Sequence, residues 1–415
     1  MHWLINRHWF VGFLFLFPAF NAMAQVELLH WWTSQGEQKA LSVLQQELVN
    51  HHFDLTYSPV TGGGGDSAMT VLQARALAGN TPHFAQIEGP SIKSWDAIGI
   101  LHPLNELASK HHWDQTLYPV AQQVNKTQNG YVALPLTLHR MNWLWVNHTL
   151  LKQLGASVPA TWQEMFTTMA LAKKHGVSPL AVGLEPWQVA QLFESIVIAT
   201  GGVDFYQQAL VKLDKNALSS NTMTLALNDF RQLSLLVDNS LANSKWDNAT
   251  QALYNDQALF QIGGDWILGE LLALGADVPN HIGCIPTPES NDAFLYNMDS
   301  FIFMAKPGFN QAQASDLASA LSSKEFQSRF NRAKGSIPVR NDIELDQFSV
   351  CQQESKRDFL QATKTGKAVP SMTDSMAVNP IEQHAFNTEL FRFFRDHSMS
   401  DDTIIKRLVS IAGSN

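Results

Sequence analysis

Cysteine is nearly absent: only Cys284 and Cys351 occur in 415 residues. Two cysteines allow one intramolecular bridge and no disulfide framework. An exported chain favours that bridge over two buried thiols. Basic residues are also few, 28 against 37 acidic, for a formal charge of −9 with no basic run. Nucleic acid and anionic lipid surfaces are therefore not expected partners. Past the first two dozen residues no apolar run reads as a membrane span. HExxH, paired CxxC, GxSxG and Walker A patterns are missing, so no metal, cofactor or catalytic set is expected. The run Gly62–Gly65 lacks both the GK[ST] ending and the Rossmann spacing. It reads as a turn, with Asp66 or Ser67 capping the next helix. The pairs His51-His52 and His111-His112 cannot share a helix face and read as solvated positions.

What is present begins with an export signal. Arg7 precedes an apolar stretch, Trp9–Phe17, then Pro18 and the small-x-small end Ala22-Met23-Ala24. This predicts a signal peptide over 1–24, with a mature start at Gln25 outside the cytoplasm. Strand and helix signals then alternate: a strand over Val26–Trp32, a helix over Glu37–Asn50 with Ser34 and Glu37 at capping-box spacing, and strands over Phe53–Val60 and His83–Ile87. Such alternation predicts an α/β sheet covered by helices. Helical patterning dominates Thr161–Leu274. Strands return at His281–Ile285 and Ser300–Met304, and a helical tail is expected from Phe348 onward. Tryptophan is abundant, with 12 copies. Neighbouring strand residues face opposite sides, so one core face cannot easily take both Trp31 and Trp32. Either one ring is in the core and the other at the surface, or both face a cleft at the carboxyl edge of the sheet, where ligands bind in open α/β folds.

The stretches "HWWTSQGE", "VLQARALAGNTPHFAQIEGP", "LPLTLHRMNWLWVN", "GGDWILGE", "YNMDSFIF" and "AKGSIPVR" together resemble the sugar-binding components of bacterial ABC transporters. The nearest likeness is to the glucose-binding branch of the extracellular solute-binding superfamily, with maltose-binding protein more distant. The resemblance implies a two-lobe periplasmic-binding-protein fold, with a ligand cleft between lobes joined by hinge crossings. It assigns 25–136 plus 294–340 to an N-terminal α/β lobe, and 137–293 plus 341–415 to a more helical C-terminal lobe. It implies a monomeric, non-enzymatic periplasmic receptor that passes a small-molecule sugar to a membrane permease.

Sugars present apolar C–H faces and a rim of hydroxyls, which suits aromatic platforms with charge-assisted hydrogen bonds. The expected ligand residues are Trp31, Trp32, Glu37, Gln86, Glu88, Trp266, Asp299, Lys334 and His384. His139, Arg140 and Trp187 are further hinge or cleft candidates. Glu37 has two readings, cap of its own helix or acceptor for sugar hydroxyls. Glu88 stands where some relatives carry a basic residue. A neutral hexose such as glucose is the leading ligand by resemblance. A glutamate at 88 facing the ligand would favour an amino sugar instead. A small oligosaccharide is a further alternative. A secreted glycoside-active enzyme is the competing class and would need two catalytic carboxylates at defined separation.

Overall fold

The computed structural model describes residues 23–413, apart from 63, 184, 238–244 and 291. The expected export signal lies almost wholly outside the described residues. Strand β1 (Ala24–His30) leads to helix α1 (Gln35–Asn50), β2 (Phe53–Pro59), α2 (Asp66–Leu77) and β3 (Phe84–Glu88). β2 and β3 flank β1 in parallel. The capping box at Ser34 and Glu37 is formed. α1 buries Ala40, Leu41, Leu44 and Leu48, the stripe that a 3.6-residue period places on one face. At α2 the cap differs from expectation: Gly65, with φ 78°, is the N-cap, and neither Asp66 nor Ser67 closes the helix end.

The chain continues through β4 (Leu134–Pro135), β5 (Thr137–Arg140), β6 (Trp143–Asn147), β7 (Ser178–Ala181) and α3 (Pro186–Tyr206). Then come β8 (Ala258–Gly263), α4 (Trp266–Leu274), β9 (Ile282–Pro286), β10 (Phe294–Asn297) and β11 (Asp299–Phe303). α5 (Lys324–Lys334), β12 (Ile337–Pro338), α6 (Val350–Thr365), β13 (Ala368–Pro370) and α7 (Pro380–Arg395) follow. One lobe holds the sheet β2-β1-β3-β11-β4, and the other holds β9-β6-β8-β7. A third sheet, β12-β5-β10-β13, is built where the chain crosses between them.

Two apolar cores match the two lobe sheets. One includes Leu28, Leu41, Phe84, Phe301 and Phe330. The other includes Trp145, Phe193, Phe230, Phe260 and Phe386. Helix α6 serves both, since Cys351 joins the second core while Phe359 and Ala362 join the first. Cys284 on β9 is disulfide-bonded to Cys351 on α6 across a separation of 67 residues. On chain-entropy grounds closing a loop of that size stabilises by about 4 kcal/mol.

The expected helical tail is interrupted by a strand and a loop. Gly366, at φ 72°, ends α6 in the left-handed conformation. Ala368–Pro370 then pairs in parallel with β10. Asn379 caps the next helix, with Pro380 in its first turn. The loop left between β13 and α7 reaches the cleft.

Candidate ligand site

β1 ends two residues earlier than its apolar pattern predicts. The backbone N–H of Trp31 donates to Gln86 Oε1 at 3.1 Å, and that of Trp32 to His30 Nδ1 at 3.1 Å. Both N–H groups bond side chains instead of a strand's backbone ladder, so strand alternation no longer governs the two rings. Both line a narrow cavity between the lobes. Trp32 also packs edge-on against Phe301 and tilted against Phe330, with ring centroids at 5.9 and 5.5 Å. It therefore belongs to core and cleft together.

The second lobe supplies the facing aromatic wall. Trp187 opens α3, Trp266 opens α4, and Trp246 opens a helix over Trp246–Tyr254. Trp266 lies 5.9 Å from Trp187 and 6.4 Å from Trp246 between ring centroids. Five indoles thus line one cavity.

Between the walls lies a chain of ion pairs. Asp299, the first residue of β11, accepts from Gln86 Nε2 at 2.6 Å, Thr137 Oγ1 at 2.9 Å and His139 Nε2 at 3.1 Å. The other ring nitrogen of His139 meets Asp265, whose second oxygen accepts from the Arg140 backbone N–H at 3.0 Å. Burial disfavours the imidazolium, but the carboxylates of Asp265 and Asp299 outweigh it and raise its pKa to about 9. Burial alone would raise Asp299. Its bond to His139, with the charges of His139 and Lys334, instead lowers it to about 2. Lys334 pairs with Glu37 Oε1 at 3.2 Å. Glu37 Oε2 accepts from the N–H groups of Thr33 and Ser34 at 2.8 and 3.0 Å. The capping reading of Glu37 holds, since one oxygen caps α1, and the side chain also lines the cavity.

Glu88 also lines the cavity, in register with Asp299 on the neighbouring strand. Its Oε1 accepts from Asn297 Nδ2 at 3.1 Å, and the same amide donates to the backbone oxygen of Asp374 at 2.7 Å. Asp374 sits on the loop after β13, 5% exposed, and faces the cavity too. That loop is pinned by the fully buried Glu194 of α3. The Glu194 carboxylate accepts from Ser371 Oγ and Thr373 Oγ1 at 2.8 Å each, from the Met372 N–H at 2.6 Å, and from the Tyr206 hydroxyl. Burial, then the nearby acids, raises Glu88 well above the carboxylate range and Asp374 to about 7.

Most sequence-predicted residues therefore meet at one place: Trp31, Trp32, Glu37, Glu88, Trp266, Asp299 and Lys334 line the cavity, joined by His139 and Trp187. Gln86 is fully buried behind them and holds Trp31 and Asp299. His384 does not join them. It is an exposed residue of α7, paired with Asp66 of α2 at 3.0 Å. Arg140 lies outside the cavity lining, its guanidinium turned to Asp358 at 2.7 Å. Asn297, Trp246 and Asp374 were not anticipated. Trp246 had the signal of an indole at a helix start. Asp374 had none, because a buried loop within an expected helix leaves no periodic trace.

The lobes touch closely around this cavity. Gly36 N–H, in the first turn of α1, donates to Glu270 Oε2 of α4 at 2.6 Å. A Cβ on Gly36 would lie 2.6 Å from the Glu270 nitrogen, and one on Gly269 would lie 2.6 Å from the Lys334 carbonyl. α4 can approach α1 and α5 this closely because no side chain intervenes at either position. The glycine run finds its use here as well: Gly64 lies against Trp187 and Gly65 against Trp31, where added Cβ atoms would come within 3.0 and 3.3 Å of the rings.

Residues 37–327 match the family described as bacterial extracellular solute-binding protein. The chain is 35% identical over 396 residues to a probable sugar-binding periplasmic protein of Brucella suis, spanning 95% of this chain and 93% of that one. Identity is 34% over 395 residues to a protein of the same description from Mesorhizobium japonicum, spanning 94% and 95%. Among solved structures, a chitin oligosaccharide binding protein superposes with a TM-score of 0.79 at 15% identity, over 94% of this chain and 98% of that one. The bacterial solute receptor AcbH, described as preferring β-D-galactopyranose, superposes with a TM-score of 0.77 at 17% identity, over 94% and 97%. This chain belongs to the bacterial extracellular solute-binding protein family.

Proposed function

We propose that the protein is an exported, non-enzymatic receptor that captures a sugar in the inter-lobe cleft and delivers it to an ABC transporter permease. The observation that carries this reading is the cavity itself, where five indoles surround carboxylates held by cations and amides. Indole faces match the C–H face of a pyranose. Fixed, ionised acceptors match its hydroxyls. Asp299, Glu37 and Lys334 are held in place by the fold, so little ordering remains for the ligand to impose. The descriptions of the relatives and the expected signal peptide support export. The two lobes close over the ligand by a hinge at the β5 and β10 crossings. Glucose is what the resemblance implies; the acids around the ring decide among monosaccharides.

Titration calorimetry of the mature protein with a monosaccharide panel tests the reading, with product analysis after prolonged incubation. Stoichiometric binding of a monosaccharide without turnover is expected. Hydrolysis of a glycoside would replace the receptor by an enzyme, and binding of oligosaccharides alone would replace the single ring.

A further inference from the structure

The acids of the cavity fall into two kinds. Asp299 and Glu37 are matched by His139 and Lys334. Glu88 and Asp374 are not. Neither has a lysine, arginine or histidine at ion-pair distance among the described residues. Glu88 has the Asn297 amide as a donor, and Asp374 offers its carboxylate to the cavity with no donor among the described residues. Asn297 ties the two together through the Glu88 side chain and the Asp374 backbone. Both carboxyls are more than nine-tenths buried. A buried acid without a cation is costly when ionised, and nothing in the fold requires an acid at Asp374, since the Glu194 anchor grips residues 371–373 instead.

We propose that Glu88 and Asp374 form a cation slot for the ligand, so that the sugar taken by this cleft carries a basic amino group. The inference rests on the sugar reading above. An ammonium donates up to three hydrogen bonds and matches two carboxylates, whereas a hydroxyl donates one. The pair also works against neutral sugars. With a neutral ligand the two acids remain protonated, or stay buried and uncompensated, and that difference sets specificity. The raised carboxyls fit this arrangement, since a bound ammonium takes the place of the proton they hold in its absence.

The experiment is calorimetric titration of the mature, disulfide-intact protein with glucose and its 2-amino, 3-amino and 6-amino deoxy counterparts, and with N-acetylglucosamine, which keeps the nitrogen but loses the charge. At least one amino sugar is expected to bind tenfold or more tightly than glucose and than the acetylated form. Glu88→Gln and Asp374→Asn should each cut that ratio severalfold, and the double variant should erase it, with folding checked by circular dichroism. Should the variants not fold, the wild-type ratio and the mass of any copurified ligand decide alone: a basic nitrogen supports the slot and a neutral sugar overturns it. Glucose binding as tightly as every amino counterpart overturns the slot and leaves the sugar reading standing. No sugar bound at all, in titration or as a copurified mass, overturns both.

Discussion

Two pairs of carboxylates in one cavity, Asp299 with Glu37 and Glu88 with Asp374, have the same chemistry and opposite settings. The first pair is answered by the fold, with His139 and Lys334 at 3.1 and 3.2 Å. The second has no cation beside it: Glu88 meets the Asn297 amide and the Asp299 carboxyl, and the Asp374 carboxylate has no donor among the described residues. The contrast shows in the direction of the shifts: His139 and Lys334 hold Asp299 down to about 2, and burial with the nearby acids pushes Asp374 up to about 7. A carboxylate fixed by a cation is a preorganised acceptor. A carboxylate left without one waits for a positive charge from outside. Side-chain type alone does not separate these roles.

The largest effect that would sharpen this contrast is on stability. His139→Ala leaves Asp265 and Asp299 buried and unpaired, and should destabilise by about 3–5 kcal/mol in urea unfolding. Glu88→Gln, by contrast, should leave the ligand-free protein unchanged or stabilise it by up to about 1 kcal/mol, since it replaces an acid whose charged form burial disfavours with a neutral isostere. Equal losses in the two variants would break the comparison.

The next effect is in pH. Asp374 has a raised folded pKa, so its contribution is full below the ordinary value of 3.8 and is lost as pH rises through about 7. Asp299 runs the other way, with a contribution present above 3.8 and lost as pH falls through about 2. Replacing Asp374 by Asn should therefore remove a decline of stability between pH 4 and 7 on the order of 4 kcal/mol. Identical pH slopes in wild type and variant would remove Asp374 from the uncompensated pair.

Between the two tryptophans the expectation divides. Trp31→Ala should weaken ligand binding by about 1–3 kcal/mol and spare most of the stability. Trp32→Ala should cost about 3–5 kcal/mol of stability as well, through its contacts with Phe301 and Phe330. Parallel fluorescence titrations and melting curves separate the two. The smallest effect concerns closure. Gly36→Ala places a methyl against the Glu270 backbone and should lower affinity by about 1–2 kcal/mol while the lobes stay folded. Unchanged affinity would mean that α4 and α1 do not need this approach when ligand is bound.

Much was readable from local pattern. Ser34 and Glu37 announce the start of α1, and apolar alternation announces β1, because both are set by residues a few positions apart. The ordered run of family-like stretches contains Trp31, Trp32, Glu37, Glu88, Trp266, Asp299 and Lys334, all of which line the one cavity. His384 was misplaced by the same route. Its stretch resembles a site segment, yet in α7 the ring faces Asp66 on the surface.

What the sequence by itself determined is the alternation of strand and helix that opens the fold, the single pairing open to Cys284 and Cys351, and the aromatic and acidic character of the cleft, since each follows from composition or short-range spacing. What only the tertiary structure decided is which acids are answered. Glu88 meets Asn297 across 209 positions, Gln86 meets Asp299 across 213, and Ser371 meets Glu194 across 177. Whether a buried carboxylate has a cation beside it depends on such distant encounters, and no local pattern encodes them, because the energy of an ion pair follows distance in space and burial, not position in the chain.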